Sequence, residues 1–489
     1  MTRFRFASLA IASALALPIA LHAARPHYGG TLRIEMLGVI RTFDPAATSA
    51  DGAESAARTR VLPLVFETLV AADPSGGLRP LLAASWERDA SGQRWRFHVR
   101  DAVTLHDGSR LQPAQMAAAL RGRERAWKVG VDGDAVVVDL DRAQPDFLWD
   151  LADARYAIAI RTSAGDLVGS GPFRLEPTEP RRVALRAHED YWGGRPFVDA
   201  VQIAEGRALG DQLTSLELGR ADFVAVRPTD LRRLVQRALR SISSRPLEVF
   251  ALVFEPHRAT PADRLVRRAV AASIDRVTLS TVLLQRQAEP AAALLPSWLS
   301  GYAPMFQSAP VPASSRSTIA ALPIEQRRLT LRVDAADPVA QAIAERVAVD
   351  VREAGITVKV QAPVGLAPRP DVRLVRVACD ATTPDRVLAA IMAALGSRAT
   401  ALATTETAPA IGASLDTVYR VERALVERDI IVPVVHVPAL YGLGDRVESW
   451  NGPAVSPIGA WNLANVWLRS ERLPDKPDQP DRPDRPDRQ

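Results

Sequence analysis

The side chains able to do covalent or metal chemistry are few and scattered. The chain carries seven histidines and one cysteine in 489 residues. His98, His106, His188, His257 and His436 stand apart in sequence, so each reads as a packed or solvated residue and not as a metal ligand. His22 and His27 flank a cleavage region and form no ligand set. Cys379 is the only thiol, which leaves no intramolecular disulfide and no cysteine-based zinc or iron–sulfur site. No Gly-x-Ser-x-Gly, His-Glu-x-x-His or Gly-x-x-x-x-Gly-Lys run occurs. Gly442-Leu443-Gly444 lacks a third glycine at dinucleotide-binding spacing. The 56 acidic residues are too many for spacing to single out a general acid–base pair. The sequence therefore predicts a protein that binds and does not catalyse, with no cofactor and no metal.

Composition narrows what it binds. Hydrophobic residues make up 47% and charged residues 24%, as in a globular protein long enough to rely on core burial alone. The net charge of +5 is carried almost entirely by dispersed arginines, which is not the clustered footprint of a nucleic-acid binder. Arg3 and Arg5, the apolar stretch Phe6 to Ala20 and the small residues Ala23 and Ala24 read as an export signal over residues 1–24, with an uncleaved anchor as the competing reading. No cysteine lies near the cleavage region, so the expectation is a periplasmic protein and not a lipoprotein. At the other end, Asp475, Asp478, Asp481, Asp484 and Asp487 recur every third residue among prolines. The reading there is an extended, solvated polyproline-type tail over 471–489.

The elements between these ends alternate strand and helix. Trp95, Phe97 and Val99 alternate with polar residues as in a half-buried strand, and His106-Asp107-Gly108 follows as a turn. A hairpin opens at Gly169–Phe173 and returns through Val183–Arg186. Val198–Glu205, a helix over Leu209–Leu218 closed by Gly219, and Ala221–Val226 make a strand–helix–strand unit. Thr260, Pro261 and Asp263 cap a helix with Leu265, Ala269 and Ala272 on one face. Asp275 caps the next, with Leu279, Val282 and Leu283 as its stripe. In a second unit Leu329, Leu331 and Val333 alternate, Asp337 caps, and Val339, Ile343, Val347 and Val351 form a buried stripe. Gly355 ends that helix, and Ile356, Val358 and Val360 alternate again, so the unit predicts a parallel sheet covered by helices.

Several of these segments, in this order, resemble the family 5 extracellular solute-binding proteins. The resemblance rests on Asp44-Pro45-Ala46 after a first strand, Phe66-Glu67-Thr68-Leu69, Leu82–Glu87, Phe97–Arg100 and His106-Asp107-Gly108. It continues through Gly169–Phe173 paired with Asp190-Tyr191-Trp192, Ile274-Asp275-Arg276 between two helices, Leu295-Pro296 and Trp450-Asn451-Gly452. It spans Gly29 to Leu468 and implies an α/β, two-lobed periplasmic binding protein-like fold with an extra small domain on the first lobe. By family topology the first lobe takes 25–57, 166–245 and the return 437–470, the small domain 58–165 and the second lobe 246–436. The stretch between Gln115 and Val168 is shorter than the family pattern, which makes the small domain compact.

The resemblance also implies a function and a site. It implies a monomeric receptor that closes over a peptide or peptide-like solute and delivers it to ABC permease subunits. Nickel-chelate or haem capture and a non-transport scaffold or sensor stand as alternatives. An extended peptide needs a carboxylate for its ammonium terminus, and the family's position for it falls at Asp380, beside Cys379. Here the family's tryptophan is missing and the Asp-Pro order is reversed as Pro384-Asp385. Arg41, Phe43 and Asp44 on the first cleft loop, and Trp298 and Tyr302 after the helical pair, complete the expected ligand-binding set.

Overall fold

The computed structural model describes residues 26–49, 51–73, 77–144, 146–177, 179–307, 313–334, 337–361, 369–379, 381–450 and 454–469. The expected signal, the Asp/Pro tail and Asp380 lie outside the described residues.

One mixed sheet runs through both lobes. Its order is Phe173–Leu175, Arg182–Ala187, Ala200–Ala204, Thr31–Glu35, Phe223–Ala225, Ile431–Leu443, Arg240–Phe254, Val372–Ala378, Arg328–Arg332 and Thr357–Gln361, with Glu289–Pro290 beside Ile431–Leu443. The two central strands are long and belong to both lobes. Their outer ends pair as Arg240 with Leu443 and Ile242 with Tyr441, next to the first-lobe strand Phe223–Ala225. Their other ends pair as Val249 with His436 and Val253 with Ile431, next to the second-lobe strand Val372–Ala378. Between these stretches the register shifts twice, around Pro246 opposite Pro438. Proline has no N–H to give to a ladder, so two facing prolines interrupt the pairing where the lobes meet. Side chains take over there: the Ser244 hydroxyl accepts from Ala439 N at 2.9 Å, and the Trp298 indole donates to Pro246 O at 2.8 Å.

Each lobe has its own core. In the second, one strand feeds two layers: Phe250, Leu252 and Phe254 pack on one side, and Val249, Ala251 and Val253 on the other. That two-sided burial explains an uninterrupted apolar run from Val249 to Phe254. The first-lobe core gathers Leu32, Ile34, Phe173, Val201, Phe223 and Trp461. A separate antiparallel sheet, ordered Ala83–Arg88, Arg94–Val99, Ala135–Leu140 and Trp127–Asp132, closes a third core around Trp95, Phe97, Trp127 and Phe147.

The strand–helix–strand expectation over 329–360 holds. Asp337 accepts from Val339 N and Ala340 N, the helix is Pro338–Asp350, Gly355 has φ 78°, and the flanking strands pair in parallel. The helical pair before it needs two corrections. The first helix, Arg264–Ser273, buries Val266, Ala269 and Val270, so its face is rotated from the Leu265–Ala272 stripe. After the Asp275 cap the chain makes one short turn, Arg276–Thr278, and then a π-turn, Leu279–Leu283. The π-turn's extra residue breaks the expected spacing, and Val282 ends 70% exposed.

Candidate functional site

Three of the expected site residues, Arg41, Phe43 and Asp44, lie on the loop after strand Thr31–Glu35. Arg58, on helix Gly52–Val61, is buried beneath this loop and donates to the carbonyls of Thr42, Asp44 and Ala47. Burial holds its guanidinium below the ordinary value. Arg41 pairs with Glu54 at 2.6 Å and with Asp51 at 3.4 Å, and its side chain stays 65% exposed. Phe43 is half-buried against the first-lobe core. The Asp44 carboxylate accepts from Ala46 N and meets Arg161 of the small domain at 3.2 Å. Every polar element of this loop named here has a partner within the protein.

The second lobe presents a different wall. Strand Val372–Ala378 ends opposite Glu248, two residues past the proline break, and leads into helix Pro384–Leu395. Thr383 is the N-cap residue by its extended backbone, yet its side chain makes no cap. The hydroxyls of Thr382 and Thr383 and Asp385 Oδ1 are buried without a hydrogen-bond partner. Asp385 Oδ2 accepts from Gly412 N at 2.9 Å. Buried polar atoms are nearly always satisfied in folded proteins. Three unsatisfied ones fall within four residues at the start of this helix.

The small domain touches both lobes. Towards the first, buried Glu67 accepts from the Ser170 hydroxyl at 2.8 Å, the Tyr191 hydroxyl at 2.8 Å and the Trp192 indole at 2.9 Å. Burial pushes its carboxyl up, against these three donors. His106 and His188, distant in sequence, meet edge to face with centroids 5.1 Å apart, and both bond Gly171 O. Burial lowers His106 to about 4 and shifts His188 in the same direction. Gly171 lies so close to Leu64 O that a Cβ there would fall 2.6 Å away, which is why the Gly-Ser-Gly-Pro-Phe run requires glycine. Towards the second lobe, Asp150 Oδ1 receives Arg386 Nε at 2.5 Å. Burial pushes the Asp150 carboxyl up, and Arg386 opposes that shift without cancelling it. Asp146 shifts up for the same reason, with Asp385 and Asp150 adding repulsion.

The expected site residues separate into three placements. Arg41, Phe43 and Asp44 share the first-lobe loop. Trp298 is half-buried at the lobe boundary, with the Arg245 guanidinium 5.7 Å from its ring. Tyr302 and Cys379 are buried in a second-lobe core. The Tyr302 hydroxyl is committed to Glu422 at 2.7 Å, and Cys379 N donates to Leu247 O at 2.6 Å. Glu422 also accepts from Leu294 N and Leu295 N, and burial pushes it up to about 7. Burial gives these two side chains a packing role in this structure. Sequence reasoning passed over Arg58, Asp150, Thr382, Thr383, Asp385 and Arg386. The one available signal was Asp150, a lone carboxylate inside the apolar run Phe147–Leu151. Gly442, set aside above as a nucleotide motif, is explained by packing, since a Cβ there would lie 2.6 Å from Leu216.

Among the described residues, no group of three or more His, Cys, Asp or Glu side chains is placed to hold a metal ion. No single described helix is long and apolar enough to cross a membrane. The sequence profile of the bacterial extracellular solute-binding proteins, family 5 middle region, matches residues 77–384. The peptide transport periplasmic protein SapA of Salmonella typhimurium is 26% identical over 376 residues, covering 66% of this chain and 67% of that protein. Among solved structures, NikA from Brucella suis in complex with Fe(III)-EDTA superposes with a TM-score of 0.71 at 18% identity, covering 90% of this chain and all of that one. The oligopeptide-binding protein AppA from Bacillus subtilis, in complex with a nonapeptide, gives 0.64 at 17% identity, covering 91% and all of that chain.

Proposed function

The chain belongs to the family 5 bacterial extracellular solute-binding proteins, and we propose that it is the periplasmic receptor of an ABC importer for peptides or peptide-like solutes. The two lobes, bounded as the family topology implies, swing about the proline-interrupted crossing and close over the solute. A ligand that contacts both lobes then stabilises the closed state by the difference in its affinity for the two. Asp380 takes the ammonium terminus, the Arg41–Asp44 loop lines the opposite wall, and Trp298 borders the hinge. The closed form is presented to the membrane permease, and residues 1–24 direct export. No covalent step is involved.

The observation that carries this reading is the asymmetry of the two walls. The first-lobe loop is held by internal partners, whereas the hydroxyls of Thr382 and Thr383 and Asp385 Oδ1 are buried without one, which suits a wall that rearranges around a polar ligand. The peptide class is supported by SapA, a peptide transport protein matched over two thirds of its length. The test is native mass spectrometry of protein exported to a periplasm and purified without denaturant. The expected result is a mass excess that is released on denaturation and sequenced as short peptides. Bare protein that takes up neither a peptide mixture nor metal chelates, with no thermal shift, would sink the receptor reading. A receptor at 100 times its dissociation constant should gain about 2.7 kcal/mol of stability.

A further inference from the structure

We propose that the second lobe carries a separate binding site for a free α-amino acid with a small apolar side chain, held between Arg268 and Asp429 in a cavity away from the proline crossing. The cavity measures about 130 Å³ and is partly open to solvent. Its lining residues fall between Arg268 and Pro433, on the second-lobe side of the proline break. The strand residues that reach it, Ile431 to Pro433, lie opposite Val253 to Ala251 and short of the facing prolines. Small side chains leave the space. Ala271 and Ala272 share a face of helix Arg264–Ser273 with Arg268, and Ala292 and Phe306 continue the apolar wall.

The charges at this cavity have no evident structural purpose. Asp429 follows helix Leu415–Val426 with φ 55°, and its N donates to Val426 O at 3.0 Å. A left-handed residue that closes a helix is best a glycine or asparagine, and a negative charge there opposes the helix dipole. Asparagine would serve the turn better, so the fold does not account for the carboxylate. Nor does the protein compensate it. Asp429 makes no side-chain hydrogen bond or ion pair among the described residues, and its Oδ2 is shut off from solvent. Burial pushes the carboxyl up, and Arg268, Arg267, Arg264 and Arg276 oppose that shift without pairing with it. Two of these arginines are committed elsewhere: Arg267 donates to Arg258 O and Thr260 O, and Arg276 to Ala291 O and Pro433 O. Arg268 is exposed and has no hydrogen bond or ion pair among the described residues. The cavity therefore offers one uncommitted cation, one uncompensated carboxylate and an apolar wall. An α-amino acid carries the complement on a single carbon: a carboxylate for the guanidinium fork, an ammonium for Asp429 and a side chain for the alanines and Phe306. A cavity of about 150 Å³ holds benzene, so this one suits an amino acid with few side-chain carbons. A peptide terminus carries only one of the two charges, so the site selects the free amino acid.

The site lies within one lobe, so it stands or falls independently of the transport reading. The test is isothermal titration calorimetry of the full chain, with L-valine as the probe. L-Valinamide and N-acetyl-L-valine serve as analogues that each lack one charge. L-Valine should bind, and each analogue should bind at least about tenfold more weakly. Arg268→Gln should remove the preference for L-valine over L-valinamide, and Asp429→Asn the preference over N-acetyl-L-valine. Ala272→Leu should fill the cavity and abolish binding with both charges kept. Asp429→Asn should melt no lower than wild type, since asparagine suits the turn. Valine bound in the interlobe cleft instead would be indifferent to all three variants, and that result would overturn the site. So would the absence of heat from L-valine, analogues that bind wild type as well as L-valine does, or a lowered melting temperature for Asp429→Asn.

Discussion

The small domain makes two junctions, and they are built on opposite principles. Its junction with the first lobe is saturated: Glu67 accepts three donors from the Ser170–Trp192 region, two histidines share Gly171 O, and Gly171 packs directly on backbone. Its junction with the second lobe carries the Asp150–Arg386 pair, with Asp146 and Asp385 close by. The first junction is a connected network of several bonds, whereas the second rests on an ion pair whose dehydration cost offsets much of its attraction. The small domain is therefore tied by more bonds to the first lobe than to the second.

This contrast can be broken at several points. The largest effect belongs to Glu67→Ala, which orphans the Ser170, Tyr191 and Trp192 donors. It should destabilise by about 4 kcal/mol in chemical denaturation, and a loss under about 1 would mean that the junction is not saturated. Gly171→Ala forces a Cβ onto Leu64 O and should cost about 2 kcal/mol by overpacking. A third prediction concerns pH. His106 is held at about 4 in the folded state, against 6.5 for an ordinary histidine, so between these the unfolded chain binds the extra proton. Its contribution therefore makes stability rise with pH through that window, by up to about 1.4 kcal/mol per pH unit. His106→Asn should flatten the profile between pH 4 and 6.5 by that slope, leaving it unaltered above. The smallest effect has the opposite sign. Thr383→Val removes a buried hydroxyl that bonds nothing, and should stabilise by up to about 1 kcal/mol while weakening solute binding. A destabilised Thr383→Val protein would show that the hydroxyl has a partner after all.

What the sequence made legible was whatever is written locally. The strand–helix–strand unit over 329–360 could be read because capping, helical period and terminal glycine agree within about thirty residues. The helix at 279–283 could not, since a π-turn shifts side chains by one position without any compositional sign. The long strand Arg240–Phe254 escaped notice because its first half, Arg240 to Pro246, is polar and proline-ended, and only its partner explains why it is extended. The site was harder. Thr382, Thr383 and Asp385 lay inside the stretch that suggested Asp380, but nothing in their order says which atoms stay unpaired. Asp150 and Arg386 come together only through the packing of separate bodies, which sequence spacing does not encode.

The facing prolines at 246 and 438 have a mechanical consequence. A sheet resists bending because its rungs must stretch or break, and at this crossing rungs are missing by covalent structure. A third register shift falls between Phe250 and Ala251, opposite Pro433, so a rung is lost within the second-lobe stretch as well. The long strand pair is therefore compliant at two places along its length, and the facing prolines mark the one nearer the first lobe.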